Sequence, residues 1–171
     1  MDEASGGPEI GVIGIGNLLL GDEGVGVHAV RALSGAGPIQ GVKLIDGGTD
    51  PWNALSAAGK CSVLLLLDAV AAGKQPGELH RLDLDEVETG DVLMSLHGLS
   101  MFHLLQYERL CGNRFEEVVV LGMEPLKVEP GIGLSGPCRE RMPALLDLVR
   151  DEIHSIRERM TLQGGEVNAG Y

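Results

Sequence analysis

Short, wholly apolar blocks alternate with longer amphipathic stretches along this chain. Ile10–Ile15, Val42–Ile45, Val63–Leu67 and Val118–Leu121 are rich in Val, Ile and Leu. Blocks of that length predict strands covered on both faces. Between them, Val25–Leu33, Pro51–Ala58 and Leu99–Leu110 read as helices. Met142, Leu145, Leu146, Val149, Ile153 and Ile156 recur at spacings of three and four, one apolar stripe of a final helix. Glu78–Leu84 alternates apolar and polar after the turn-like Gly73-Lys74-Gln75-Pro76-Gly77. That alternation predicts a half-exposed strand, antiparallel at an edge. The whole pattern predicts an α/β fold, a three-layer α/β/α sandwich around a mainly parallel sheet of about five strands.

A chain of 171 residues suits one domain with a full core. Residues 1–8 and roughly 160–171 carry little apolar content and are expected to be flexible tails around an ordered domain over about 9–159. No repeat, linker or second domain stands out.

Composition narrows the partners. The formal net charge is −12, and the aromatic residues are one Trp, two Tyr and two Phe. Neither a basic footprint nor a stacking platform for nucleic acid follows from that. Cys61, Cys111 and Cys138 form an odd set without CxxC spacing, which fits a reducing compartment. Met1 to Pro8 is polar and Gly-rich, and Val63–Leu67 is far too short to span a bilayer. The expectation is a soluble, cytoplasmic monomer with no membrane contact.

The chemistry concentrates at strand ends. Gly14 to Gly26 holds five glycines in thirteen residues and follows the first strand, where open parallel sheets bind ligands. Its tip carries Asp22 and Glu23, so it invites a cation rather than a phosphate. Asp46-Gly47-Gly48-Thr49 follows the second strand, Asp68 the third, and Ser95 and His97 precede a helix. Carboxylate, carboxylate and imidazole at one edge make a partial metal site with open positions, suited to zinc or nickel. Each residue also has a plainer reading. Asp22 fits a helix N-cap, Glu23 a first-turn acid, Asp68 a turn cap and His97 a helix opening. The combination carries the hypothesis. His28, His80, His103 and His154 lack a strand-end carboxylate beside them. A dinucleotide fingerprint would need glycine at position 19, where Leu19 stands, although Asp46 would supply its acid. No P-loop lysine and no Gly-x-Ser-x-Gly elbow occur.

In these residues the chain resembles the hydrogenase maturation endopeptidases. The resemblance rests on Gly14-x-Gly16-Asn17-x-Leu19-x-x-Asp22-Glu23-Gly24-x-Gly26, Asp46-Gly47-Gly48-Thr49, Asp68-Ala69, Ser95-Leu96-His97, Gly122-Met123-Glu124-Pro125 and Gly133-Leu134-Ser135. It covers about residues 9–159 in order. It implies an endopeptidase that removes the C-terminal extension of a nickel–iron hydrogenase large-subunit precursor after nickel insertion. It also implies that Glu23, Asp68 and His97 bind a metal, the substrate's own nickel, for which zinc or cadmium would substitute in vitro. Asp46 and Asp22 would position Asp68, the loop or the substrate chain, and Asp46 joins the catalytic set. Where relatives carry proline and glutamine around the histidine, Leu96 and Gly98 flank His97. A non-cleaving nickel-centre checkpoint, a related peptidase with another target and a nucleotide-binding protein are the competing functions.

Overall fold

The computed structural model describes residues 10–88, 92–112 and 115–166. In chain order the elements are β1 (Ile10–Ile15), a 3-10 turn (Gly21–Gly24), α1 (Val25–Gly35), β2 (Val42–Gly48), α2 (Pro51–Ala58) and β3 (Val63–Ala71). β4 (Leu79–Asp83), α3 (Leu84–Glu88), β5 (Leu93–Met94), α4 (Leu96–Cys111), β6 (Glu117–Met123) and α5 (Gly136–Glu166) follow.

The main sheet runs in the order β2-β1-β3-β6-β4, with β5 paired to β3 off that path. β2, β1, β3 and β6 are parallel, and β4 lies antiparallel to β6 at the edge. The expected sandwich and its antiparallel edge strand are therefore present. α1 and α5 bury their apolar stripes on one face, through Ala29, Val30, Leu145, Val149 and Ile153 among others. α2, α3 and α4 cover the other face through Leu55, Leu84, Met101 and Leu105. Close contact of α1 with the sheet needs glycine, because a Cβ on Gly26 would lie 1.9 Å from the Leu67 carbonyl oxygen. That contact brings the turn before α1 down onto β3.

Several boundaries differ from the sequence reading, each for a local reason. β3 continues past Leu67 because Asp68 and Ala69 still pair with Gly122 and Met123, and Val70 and Ala71 then pair with β5. Asp68 therefore lies inside a strand rather than at its end. Asp46 likewise lies within β2, opposite Gly14. α4 opens three residues before the expected Leu99, because the Ser95 side chain caps it by accepting from the Gly98 N–H at 2.9 Å. His97 is thus in the first turn of that helix.

α5 continues to Glu166 through a stretch assigned above to a flexible tail. Met160 packs against the core, and Arg159 bonds Glu117 at 2.8 Å. Residues 1–8, the other expected tail, lie outside the described residues, as do 167–171. Among the described residues no helix is long and apolar enough to cross a membrane.

Candidate metal centre and cleft

Three elements meet at the C-terminal edge of the parallel strands. The 3-10 turn after β1 carries Glu23, β3 carries Asp68, and the first turn of α4 carries His97. Glu23 and Asp68 are buried. The His97 side chain is a quarter exposed, and its Nε2 stands 3.8 Å from Glu23 Oε1. That separation is too long for a hydrogen bond.

The carboxylates are only partly satisfied. The Ser95 N–H donates to Asp68 Oδ2 at 3.1 Å, while Asp68 Oδ1 and Glu23 Oε2 are buried without a hydrogen-bond partner. Burial is the main force raising the Asp68 carboxyl, to about 7; the Glu23 charge adds to it, and hydrogen bonding from Ser95 and Ala69 pulls the other way. Two buried carboxylates, each with an orphaned oxygen, are costly as a pair of anions. A cation between them would relieve both. Gly98 makes the approach of α4 possible, since a Cβ there would stand 1.9 Å from Asp68 Oδ2. Gly98 thus serves Asp68 directly.

The residues supply oxygen, oxygen and nitrogen donors, which fit a borderline divalent ion. They do not form a closed cage. Among the described residues no group of three or more His, Cys, Asp or Glu side chains is gathered tightly enough to hold a metal by itself. Glu23 faces instead into a cleft of about 250 Å³, walled by Leu20, Ala71, Met94, Ser95, Leu96 and Val128. The cleft is lined mainly by apolar side chains, with Glu23 in its wall.

Asp22 has a different surrounding. Its carboxylate accepts from the N–H groups of Ser135 at 2.7 Å, Leu126 at 2.9 Å and Lys127 at 3.2 Å. Burial acts to raise its pKa, but these amides outweigh it and hold the carboxyl below its ordinary value. It caps no helix: neither the 3-10 turn nor α1 receives a side-chain cap. Its partners lie more than a hundred residues away, which the local pattern of the turn could not reveal. Asp22 fastens the 126–135 loop beside the cleft, and the backbone pairing of Leu19 and Gly21 with Gly131 reinforces it.

Asp46 is exposed on β2 and bonds the Arg31 Nε of α1 at 2.6 Å. A functional contributor missed in the sequence is Glu124. It is buried and accepts from the N–H groups of Ala72 at 2.9 Å and Gly73 at 3.1 Å, and pairs with His80 at 2.9 Å. That anchors the turn after β3 and so the cleft's floor. Its signal was the acid that follows the apolar run of β6. None of the three cysteines forms a disulfide among the described residues; Cys61 and Cys138 are buried and Cys111 is exposed. Burial pushes the Cys138 thiol up, away from nucleophile chemistry.

The model of a family described as hydrogenase maturation protease matches residues 27–152, a span that holds Asp68 and His97 and stops short of Glu23. The chain is 35% identical over 145 residues to the hydrogenase expression/formation protein HupD of Thiocapsa roseopersicina, covering 82% of this chain and 66% of that one. It thus spans slightly less than two thirds of that relative's length. With the hydrogenase 2 maturation protease of Escherichia coli it shares 34% identity over 141 residues, covering 78% of this chain and 84% of the other. Among solved structures, the hydrogenase maturating endopeptidase HybD from E. coli superposes with a TM-score of 0.75 at 27% identity, over 86% of this chain and 93% of that one.

Proposed function

The chain belongs to the hydrogenase maturation protease family, and from that premise we propose an endopeptidase that trims the C-terminal extension of a nickel–iron hydrogenase large-subunit precursor once nickel is in place. The observation that carries the proposal is the pair of orphaned buried carboxylate oxygens, Glu23 Oε2 and Asp68 Oδ1, with His97 beside Glu23 and Glu23 itself in the wall of a cleft. An incomplete donor set of this kind suits a metal that arrives already held by the substrate. Glu23, Asp68 and His97 would complete a coordination shell that the substrate's own ligands begin. Zinc or cadmium would substitute in vitro.

A metal held by Glu23, Asp68 and His97 together with the substrate's own ligands would supply Lewis acidity and fix the scissile bond beside the cleft. The protein's share is orientation. Asp68 is held by Ser95, and the burial that raises its pKa makes it gain most from a neighbouring cation. The apolar walls hold the chain to be cut and exclude bulk water. With Cys138 and Cys61 buried and no activated serine in the cleft, a water molecule is the proposed attacking group. Asp46 would act from the cleft's flank by steadying the Gly47–Gly48 segment against the passing chain. An odd number of cysteines with no disulfide among the described residues supports a cytoplasmic setting, and the protein is proposed to act as a monomer.

The test is to mix the protein with nickel-loaded and nickel-free precursor and to follow precursor mass. Loss of a C-terminal peptide from the loaded form alone is the expected result. A loaded precursor that binds yet stays full length would make the protein a non-cleaving checkpoint. Tight phosphate or nucleotide binding would return the nucleotide reading, which the buried Glu23 carboxylate opposes.

A further inference from the structure

Apart from Leu162 on α5, the large apolar side chains exposed to solvent among the described residues are not scattered. Leu93, Leu96 and Val128 line the cleft, while Leu19, Leu126 and Ile132 lie on the two segments that Gly131 pairs beside it. From that mouth a second set leads away along α4. Leu96, Leu99, His103, Tyr107 and Leu110 are all exposed, Leu110 at 88%. At 100° per residue they fall within an arc of about 80°. The buried residues Gly98, Met101 and Leu105 occupy the opposite side, against the sheet. α4 is therefore apolar on two sides. One side is spent on the core, and the other has no packing partner among the described residues. Trp52, 63% exposed at the start of α2, widens the outer ridge, and a shallow hollow joins it to Ser100 and His103.

We infer that this α4–Trp52 ridge docks the folded body of the protein substrate, separately from the cleft that holds the segment to be cut. The inference rests on the function proposed above. Continuity is the first argument: Leu96 belongs to both surfaces, so a protein bound in the cleft necessarily extends along or away from the ridge. From Leu96 to Leu110 the helix spans about 21 Å, the scale of one side of a standard protein interface. Charge is the second argument, because it selects the occupant. A second copy of this chain would bring another −12 against the first. An anionic membrane would want Lys and Arg along the stripe, whereas the arginine of α4, Arg109, is paired with Asp85 at 2.6 Å. A protein patch that is apolar at its centre and basic around it fits the surface.

The experiment compares cleavage of nickel-loaded large-subunit precursor by wild type, Tyr107→Glu/Leu110→Glu, Trp52→Ala and Leu162→Glu. The last alters an exposed leucine of α5, on the far face of the sheet. Unfolding curves check that each variant remains folded. The ridge variants should raise KM at least tenfold with kcat unchanged, and Leu162→Glu should change neither. Wild-type KM in the ridge variants would overturn the inference while leaving the protease function intact. A wild-type dimer that Leu110→Glu dissociates, or flotation of the wild type with phosphatidylglycerol vesicles, would assign the ridge to another occupant and overturn it as well. A wild type that neither binds nor cuts loaded precursor would instead sink the proposed function, and the docking site with it.

Discussion

Asp22 and Asp68 are both fully buried aspartates within one sheet edge, yet their surroundings push them in opposite directions. Asp22 receives three backbone N–H groups, and its pKa is held below the ordinary value against the opposing effect of burial. Asp68 has one oxygen bonded to Ser95 and the other orphaned, with a second carboxylate nearby, and burial lifts it to about 7. Equal burial therefore does not mean equal purpose. A buried carboxylate whose acceptor sites are filled by the backbone serves the fold, whereas one left with an orphaned oxygen beside a second carboxylate is the candidate for a ligand.

The comparison breaks first on activity. Asp68→Ala, like Glu23→Ala or His97→Ala, should reduce processing of loaded precursor by at least about a thousandfold if, as proposed, each side chain supplies a metal ligand. Asp22→Asn should retain processing within about tenfold, because one amide oxygen still accepts from the loop. Equal losses in Asp68→Ala and Asp22→Asn, followed by precursor mass, would erase the distinction.

Stability should show the reverse order. Asp22→Ala strands three donors and loosens the 126–135 loop, at a cost of about 3 kcal/mol in denaturant unfolding. Asp68→Asn should cost less than about 1 kcal/mol at pH 8, because an amide oxygen keeps the Ser95 bond and no buried charge remains. If Asp68→Asn unfolds the protein as readily as Asp22→Ala does, Asp68 is a structural cap.

The dependence on pH sharpens the contrast in metal-free protein. The folded Asp68 pKa lies above the ordinary 3.8, so the native chain keeps a proton that the unfolded chain has lost. Its contribution to stability is full below about pH 4 and disappears as pH rises toward 7. Asp22, with its folded pKa depressed, contributes stability above the ordinary value that is lost as pH falls through its folded one. Between pH 5 and 7 the wild type should lose about 2 kcal/mol relative to Asp68→Asn, read from parallel urea titrations. Parallel curves for the two proteins would contradict the buried, proton-holding Asp68.

Much of this was legible in sequence, and what was not depended on distance along the chain. Apolar blocks located β1, β3 and β6 because a strand covered on both faces must be apolar throughout. Glu23, Asp68 and His97 were legible as strand-end chemistry once the sheet was taken as parallel. The roles of Asp22 and Glu124 were hidden, since their partners at 126–135 and 72–80 are joined only by the fold. The extent of β3 was hidden as well. A carboxylate looks like the end of an apolar run until Gly98 and Ser95 bring α4 over it. The short β5 and α3 carry too few residues for any period to show.

Asp46 is the third aspartate of this edge and the finest test of the distinction. It is exposed, with its visible partner Arg31 exposed as well, at 2.6 Å. An ion pair of that kind contributes under about 1 kcal/mol, so both Arg31→Ala and Asp46→Asn should leave the unfolding midpoint nearly unchanged. Processing separates the two substitutions. If Asp46 steadies the substrate-facing Gly47–Gly48 segment, Asp46→Asn lowers turnover of loaded precursor by about tenfold, and Arg31→Ala, which keeps the carboxylate, lowers it by less than about twofold. Equal and small effects would place Asp46 with the solvated surface charges. Function at this edge would then belong to the buried carboxylates with an open oxygen, Glu23 and Asp68, and to the imidazole that faces them.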